Sequence, residues 1–199
     1  MSCAIIGFGA VGQAIARAFA RKNIDVIVAS RRSPEALAPQ ARAIGPTVFP
    51  KALTDAITAD TIILAVPFWE YREVAKTLAN WHGKTIIDAM NAFGVAVEDL
   101  ANLPSSTVVA KAFPGARFVK GFNHLAAGKL ATDPNVKGGR RVVFLSSDDE
   151  GAAAPVAALA EQLGFAPVYL GKLEAGGALV QARGRTWGQL IFQDFVKFE

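Results

Sequence analysis

The chain has 199 residues, of which 52% are hydrophobic and 19% charged, and its formal net charge is only +4. This length suits one large domain, or one domain with a small appendage, and the apolar content is sufficient for a sizeable core. Adjacent arginines occur only at Arg31-Arg32 and Arg140-Arg141, and the other basic residues form no long run, whereas a nucleic-acid-binding protein typically concentrates them in a dense stripe. The composition therefore argues against a nucleic-acid partner.

The single cysteine, Cys3, lies in the first apolar run. One cysteine cannot form an intrachain disulfide, which is typical of a protein from a reducing compartment. No apolar run reaches the roughly 18 residues of a membrane span, and a glycine turn that begins at Gly7 leaves no room for a signal peptide. We therefore expect a cytoplasmic protein that does not enter a membrane.

The first half of the chain alternates short apolar runs with helical patterns. Apolar runs predict strands over residues 2–6, 25–29, 47–49, 60–66 and 84–88, and apolar spacing predicts helices over residues 10–22, 33–44, 51–58 and 69–80. Continuous apolar strands that alternate with helices are typical of a parallel sheet covered on both faces. We therefore predict an α/β fold with a doubly wound parallel sheet of the Rossmann type.

The second half repeats the alternation more loosely. It predicts a helix from 105 to about 114, strands over 117–120, 141–146 and 166–170, and a helix over 149–163. Glycine, proline and polar residues concentrate between 121 and 139. We therefore divide the chain into a Rossmann domain, residues 1–120, and a smaller C-terminal α/β lobe, residues 121–199.

An apolar stripe near the end of the chain predicts a final helix. Its members are Trp187, Leu190, Ile191, Phe195 and Phe198. A stripe of this kind is too apolar to face water unless something covers it. We expect a homodimer interface there, formed by the C-terminal lobe, and the alternative is that the helix packs on its own domain.

A glycine-rich turn follows the first predicted strand and opens the first predicted helix. It reads Gly7-Phe8-Gly9-Ala10-Val11-Gly12, which fits Gly-x-Gly-x-x-Gly. In such a turn the first glycine permits the sharp bend, the second lets the backbone approach a pyrophosphate, and the third lets the helix pack against the strand. The helix N-terminus adds free amides and a favourable dipole. The context predicts dinucleotide binding, with a turn needed only for packing as the alternative.

The end of the second strand indicates which dinucleotide binds. NAD sites usually place an acidic residue there, but Asp25 lies at the opposite end of this strand, which finishes with Ser30-Arg31-Arg32. A hydroxyl followed by two guanidinium groups suits a 2′-phosphate, because arginine offers forked donors to phosphate oxygens. The sequence therefore favours NADP(H), and a solvated basic turn is the alternative.

Two further strand ends are candidates, because ligands of open α/β sheets lie beyond the carboxyl ends of strands. They are Ala65-Val66-Pro67-Phe68 and Asn91. Pro67 ends its strand and can turn the chain along the cofactor. Phe68 could cover the cofactor or belong to the core, and Asn91 could bond a ribose or the nicotinamide amide or serve only as a turn residue.

Asn123 and His124 follow another predicted strand and are the candidate catalytic residues. Both side chains can orient a carboxamide or a substrate carbonyl, and His124 could move a proton. The alternative is a capped helix start, with Asn123 as the cap.

The usual acid–base groups of alcohol oxidation are missing from the sequence. Neither tyrosine has a lysine four positions on, because Tyr71 is followed by Ala75 and Tyr169 by Leu173. There is no Cys/His cluster with metal-binding spacing and no serine nucleophile elbow, so we expect no metal. Hydride transfer to a flavin-like ring fits this pattern, since the cofactors supply the chemistry and the protein supplies alignment.

The same motifs resemble the NADPH-dependent coenzyme F420 reductase family, which is in turn similar to the cytoplasmic reductase domains of the Steap metalloreductases. The resemblance rests on residues 4–12, 29–32, 65–67 and 119–124 and spans most of the chain. It implies hydride exchange between NADP(H) and a deazaflavin. It also implies that residues 7–12 hold the pyrophosphate, residues 30–32 the 2′-phosphate, and Pro67 the strand-end contact.

The sequence departs from the archaeal family members at Asn123, where they tend to have histidine, and over residues 181–189. The leading hypothesis is an NADPH-dependent oxidoreductase acting on coenzyme F420 or on a flavin such as FMN or FAD. The alternatives are a reductase of a small imine or carbonyl compound and a non-catalytic redox sensor that binds NADP(H).

Overall fold

The computed structural model describes residues 2–182 and 189–198. The first half alternates strands and helices, in the order β1 (Cys3–Ile6), α1 (Ala10–Arg21), β2 (Val26–Ala29), α2 (Pro34–Ile44), β3 (Val48–Pro50), α3 (Leu53–Ala56), β4 (Thr61–Leu64), α4 (Tyr71–Ala75) and β5 (Thr85–Asp88). A single 3-10 turn, Phe68–Glu70, connects β4 to α4.

The second half contains α5 (Ser105–Ala110), β6 (Arg117–Gly121), α6 (Ala127–Leu130), β7 (Asn135–Val136), β8 (Gly139–Ser146), α7 (Glu150–Gln162), β9 (Ala166–Tyr169) and β10 (Val196–Lys197). A 3-10 turn, Glu98–Leu100, precedes α5, and a π-helical turn, Leu173–Gly177, follows β9.

The first six strands form a parallel sheet in the order β3-β2-β1-β4-β5-β6. In the register of this sheet, Ile5 of β1 lies opposite Val28 of β2 on one side and Ile63 of β4 on the other. The chain crosses from one half of the sheet to the other between β3 and β4. The loops after β1 and β4 therefore diverge, which opens a crevice at the carboxyl edge of the sheet.

Both faces of the sheet are covered, as the continuous apolar strands predict. Neighbouring residues of β4 point to opposite sides: Ile63 belongs to the core under α1, α2 and α7, and Ile62 belongs to the core that includes Trp81 and Val109. Each residue of β4 is buried. The predicted α/β fold with a mostly parallel Rossmann-type sheet is confirmed.

The C-terminal part continues the same sheet. β8 pairs antiparallel with β6 through Lys120 and Gly121, and β9 pairs parallel with β8. The predicted lobe, residues 121–199, is thus joined to the first 120 residues through this sheet, and the division of the chain at residue 120 stays a prediction. Within the described ranges no helix is long and apolar enough to cross a membrane.

The predicted final helix is wrong for residues 189–198. Trp187 lies outside the described residues, residues 189–192 form turns, and Val196 pairs with Arg141 of β8. Phe192 has a φ of 60°, which a helix does not permit. Asp194 is held by the Arg141 guanidinium, whose Nε donates at 2.6 Å. Strand pairing and this ion pair therefore override the helical spacing of the apolar residues.

The helix predicted over residues 69–80 is shorter in the structure and ends at Ala75. The indole Nε1 of Trp81 donates to the Ala75 carbonyl oxygen at 3.2 Å and so satisfies a backbone acceptor at the end of the helix. Trp81 itself is fully buried against Phe113. Tertiary packing of one tryptophan therefore sets the end of α4.

Candidate functional site

The glycine turn joins β1 to α1 and combines two packed glycines with one open position. A Cβ on Gly7 would collide with the carbonyl group of Ala65 at the end of β4, and a Cβ on Gly12 would collide with the Gly7 carbonyl oxygen. A Cβ on Gly9 would meet no atom within 4 Å. The backbone at Gly9 thus faces open space, and the residues of the turn fit a bound pyrophosphate.

The N-terminus of α1 opens onto the same space. Gly9 is the residue before the helix and contributes no side-chain cap, and the first turn carries no acidic residue. Backbone N–H groups in the first turn of a helix have no partner within the helix. Together with the helix dipole, they favour an anion at this point.

The two arginines after β2 are held differently. Nη2 of Arg32 donates to the Phe8 carbonyl oxygen at 3.4 Å and to Oε1 of Gln40 at 3.1 Å. The backbone N–H of Arg32 donates to Oγ of Ser30 at 3.0 Å. The Arg31 side chain is 81% exposed and forms an ion pair with Glu70, whose Oε1 lies 2.9 Å from Nη1. Arg32 is therefore tied to the glycine turn, whereas Arg31 reaches into solvent toward one carboxylate.

A cavity of about 360 Å³ lies between these elements, at the carboxyl ends of β1, β2 and β4. Nine of the predicted cofactor residues form part of its wall: Gly7, Phe8, Gly9, Ser30, Arg31, Arg32, Ala65, Val66 and Pro67. The wall also contains residues that the sequence motifs do not indicate, namely Ile6, Leu53, Glu70, Glu73 and Val74. Glu70 could have been predicted as part of the wall, because it follows Pro67, at the end of its strand, by only three residues.

Five predicted cofactor residues are not part of the cavity wall: Ala10, Val11, Gly12, Phe68 and Asn91. The first three belong to α1. Phe68 is buried in the core, with its ring centroid 5.4 Å from that of Tyr71 in an edge contact. Of the two possibilities for this aromatic side chain, the structure places it in the core.

A buried ion pair connects β5 and β6 at the carboxyl edge of the sheet. Nζ of Lys120 lies 3.2 Å from Oδ2 of Asp88, and both side chains are 1% exposed. Lys120 also donates to the Met90 carbonyl oxygen, and Asp88 accepts the Met90 N–H at 2.9 Å. Burial lowers the pKa of Lys120, and the neighbouring Asp88 carboxylate opposes that shift. The pair fixes the backbone just before Asn91.

Asn91 and Asn123 form a reciprocal pair between the loops after β5 and β6. Nδ2 of Asn91 donates to the Asn123 carbonyl oxygen at 2.9 Å, and Nδ2 of Asn123 donates to Oδ1 of Asn91 at 3.0 Å. Nδ2 of Asn123 also donates to the Val180 carbonyl oxygen at 2.8 Å. The next helix, α6, begins at Ala127, so Asn123 is not a helix cap.

His124 is fully buried, and its ring makes an edge contact with Phe144 at a centroid distance of 4.7 Å. Neither ring nitrogen has a hydrogen-bond partner among the described residues. Burial lowers the pKa of His124 from 6.5 to about 4, with a smaller opposing effect of Asp194. The imidazole is therefore neutral near pH 7 and is not a ready proton donor.

Two exposed aromatic rings lie beyond the carboxyl ends of β5 and β6. Phe93 follows Asn91 by two residues, and Phe192 donates its N–H to the His124 carbonyl oxygen at 2.7 Å. Their ring centroids are 6.1 Å apart, the ring planes differ by 3°, and the two residues are 54% and 44% exposed. Neither residue is predicted from the sequence, because Phe93 lies in a loop and Phe192 lies in the segment predicted as the final helix.

The sheet order, the glycine turn and the basic end of β2 define a dinucleotide-binding α/β protein. Comparison with known families agrees: residues 2–92 match the model of the family described as NADP oxidoreductase, coenzyme F420-dependent. Over these residues, somewhat less than half of the chain, it is similar to this family of NADP-dependent oxidoreductases.

Three relatives illustrate the range of similar proteins. A solved structure of a hypothetical protein from Sinorhizobium meliloti is 38% identical, has a TM-score of 0.92, and aligns over 99% of this chain and 96% of its own. The rat (Rattus norvegicus) metalloreductase STEAP3 is 27% identical over 171 residues, which are 85% of this chain and 33% of that protein. The chain thus spans about a third of the length of this curated relative.

The third relative is a protein of Arthrobacter sp. FB24, provisionally named an F420-dependent NADP-reductase. Its solved structure has a TM-score of 0.69 at 24% identity and aligns over 87% of this chain and 86% of its own. At this identity the likeness concerns the fold.

Proposed function

We propose that this protein transfers hydride between NADP(H), bound in the cavity at the ends of β1, β2 and β4, and a flavin-like acceptor, either coenzyme F420 or a flavin. The dinucleotide supplies the hydride chemistry from its nicotinamide ring. The similarity of residues 2–92 to a family of NADP oxidoreductases supports NADP(H) as the cofactor. We infer the acceptor from the residues at the carboxyl ends of β5 and β6.

The proposed binding roles follow from position in the sheet. Backbone N–H groups at the start of α1 hold the pyrophosphate, and Arg31 with Arg32 holds the 2′-phosphate beyond β2. With the pyrophosphate at β1, the nicotinamide half of the cofactor extends past β4 toward the ends of β5 and β6. Asn91 and Asn123 fix the loops at that point and orient the ring that lies there.

The observation that carries the acceptor assignment is the pair of exposed, parallel aromatic rings, Phe93 and Phe192, beside these loops. Flat apolar surfaces suit a flat heteroaromatic ring. His124 supports the same assignment, because a buried neutral imidazole with a pKa of about 4 is unsuited to protonate a carbonyl or imine product at pH 7. In this proposal Asn123 and His124, which are both buried, align the rings by fixing the loop after β6, and hydride transfer needs little acid–base help.

Rapid mixing of the NADPH-loaded protein with F420, FMN and FAD, and separately with small imines and ketones, tests the acceptor. We expect reduction of at least one of the three flavin-like compounds. Phe93→Ala should raise the KM for that acceptor by about 2- to 10-fold, because stacking on an aromatic ring contributes roughly 0.5–1.5 kcal/mol. Phe49→Ala is the matched control, since Phe49 is 41% exposed on β3 at the far edge of the sheet.

The other outcomes of this experiment separate the alternatives. Reduction of an imine or ketone, with no reduction of F420, FMN or FAD, would replace the acceptor and leave the NADP(H) cavity in place. Tight NADPH binding without consumption by any compound of the panel would favour the redox sensor. Equal effects of Phe93→Ala and Phe49→Ala on the KM for the acceptor would show that the aromatic pair does not bind it.

A further inference from the structure

Glu70 faces the arginine that is proposed to bind the 2′-phosphate, from the opposite side of the glycine turn. It ends the 3-10 turn after β4, and its backbone N–H is fixed by the Pro67 carbonyl oxygen at 2.9 Å. β4 and β2 flank β1 on its two sides, so they are separated by about 9–10 Å, twice the spacing of adjacent strands. The ion pair between Glu70 and Arg31, at 2.9 Å, therefore crosses over the end of β1 and the turn that follows it.

The carboxylate occupies the same donors that a phosphate would use. A guanidinium binds carboxylate and phosphate oxygens through the same forked N–H groups. Both Arg31 and Glu70 lie in the wall of the cavity. The Arg31 side chain is 81% exposed whereas that of Glu70 is 28% exposed on a short, hydrogen-bonded turn, so the arginine is the more mobile partner.

We propose that Glu70 is a specificity-determining residue that competes with the cofactor 2′-phosphate for Arg31. This inference rests on the proposed NADP(H) site. When the 2′-phosphate binds, Arg31 must release the Glu70 carboxylate before it can bind the phosphate. The loss of the Arg31–Glu70 ion pair therefore reduces the binding free energy that the Arg31–phosphate contact provides. Glu70 thereby weakens NADP(H) binding without affecting NAD(H), which carries a neutral hydroxyl in place of the 2′-phosphate.

The cavity contains a matched control. Glu73 belongs to the same wall, one helical turn further along, but its Oε1 is paired with Nζ of Lys76 at 2.7 Å. Glu73→Gln removes the same charge close to the same ligand and leaves the Arg31 contact intact. Any effect of Glu70→Gln beyond that of Glu73→Gln therefore reports the competition for Arg31 rather than the overall potential of the cavity.

The test is a titration of the full chain with NADPH and with NADH, followed by nicotinamide fluorescence or by calorimetry. We expect Glu70→Gln to lower the Kd for NADPH by about two- to five-fold, the range that corresponds to an exposed ion pair, and to leave the Kd for NADH unchanged. Glu73→Gln should lower the Kd for NADPH by less and should likewise leave the Kd for NADH unchanged. In an Arg31→Ala background, Glu70→Gln should have no larger effect than Glu73→Gln.

Two results would overturn the inference. Weaker NADPH binding in Glu70→Gln would mean that Glu70 holds Arg31 in its binding position. Equal tightening by Glu70→Gln and Glu73→Gln would mean that only net charge matters. The failure of the proposed NADP(H) site has a different signature, because Arg31→Ala would then weaken NADPH and NADH equally, whatever the behaviour of Glu70.

Discussion

Replacing Gly9 with valine is expected to abolish cofactor binding and leave folding intact. A side chain at this position meets no protein atom within 4 Å of its Cβ, and the backbone φ of −83° is available to any residue. We therefore expect the free energy of unfolding to change by no more than about 0.5 kcal/mol. The valine methyl groups would occupy the space that a pyrophosphate needs.

The loss of binding can be scaled from the contacts that the valine would block. If two backbone N–H groups no longer reach the pyrophosphate, the loss is about 3–6 kcal/mol, since each charge-assisted hydrogen bond contributes roughly 1.5–3 kcal/mol. This corresponds to about 10²–10⁴-fold in Kd. NADPH and NADH should be affected equally, because both carry the pyrophosphate.

Gly12→Ala is the control within the same motif. A Cβ there would collide with the Gly7 carbonyl oxygen, so we expect a loss of about 1–3 kcal/mol of stability. For a chain of this size, each kcal/mol lowers Tm by about 2–4 °C. Urea denaturation and NADPH fluorescence titration measure both quantities. A folded Gly9→Val protein that binds NADPH normally would refute the assignment of the glycine turn.

Four further predictions concern the buried polar groups and the surface. The folded-state pKa of His124, about 4, lies below its ordinary 6.5; the unfolded chain therefore takes up a proton first as the pH falls, and about 3 kcal/mol of stability should be lost between pH 6.5 and 4. His124→Leu should remove this loss of stability, as measured by urea denaturation at several pH values. His124→Ala should slow NADPH oxidation by only about 3–30-fold, which is less than the roughly 10²–10⁴-fold expected when a general acid is removed. Lys120→Met should cost about 3–5 kcal/mol, because it leaves the Asp88 charge buried alone, and Asp88→Asn should restore part of it. We expect a homodimer in which Phe195 and Phe198 lie at the interface, because they are 41% and 62% exposed beside β10. Sedimentation that finds only monomer at micromolar concentration would contradict this expectation.

The first half of the fold follows closely from sequence patterns, because its signals are local. The turn residues of positions 7–12 and the continuous apolar runs of β1, β2, β4 and β5 determine the strand–helix alternation. Two of the mispredicted helices, the one over residues 69–80 and the final one, depend on specific contacts rather than on the pattern of apolar residues. Trp81 ends α4 through a hydrogen bond to Ala75, and β10 forms through pairing with β8. Helical spacing of apolar side chains contains no information about either contact.

In the candidate site, too, some residues could be predicted from the sequence and others could not. Residues that follow β1, β2 and β4 directly could be predicted, because the carboxyl ends of parallel strands meet at one edge. Glu70 could not be predicted as the partner of Arg31, because the contact depends on the 3-10 turn after Pro67 and on the sheet order that places β4 and β2 on either side of β1. Phe192 reaches the site only because its backbone N–H bonds to His124, 68 residues earlier in the chain.

The two parts of the carboxyl edge are fixed by different physical means. Around β1 the backbone itself is fixed by close packing, since Gly7 and Gly12 leave no space for a side chain. Beyond β5 and β6 it is fixed by polar contacts, in which a fully buried Lys120–Asp88 pair binds both the N–H and the carbonyl group of Met90. Burying an ion pair costs desolvation energy, and an apolar pair of similar volume is often at least as stable. The pair is therefore better explained by the position it gives to the loop of Asn91 than by stability. Double replacement by an apolar pair should accordingly preserve folding and NADPH binding while impairing transfer to the acceptor.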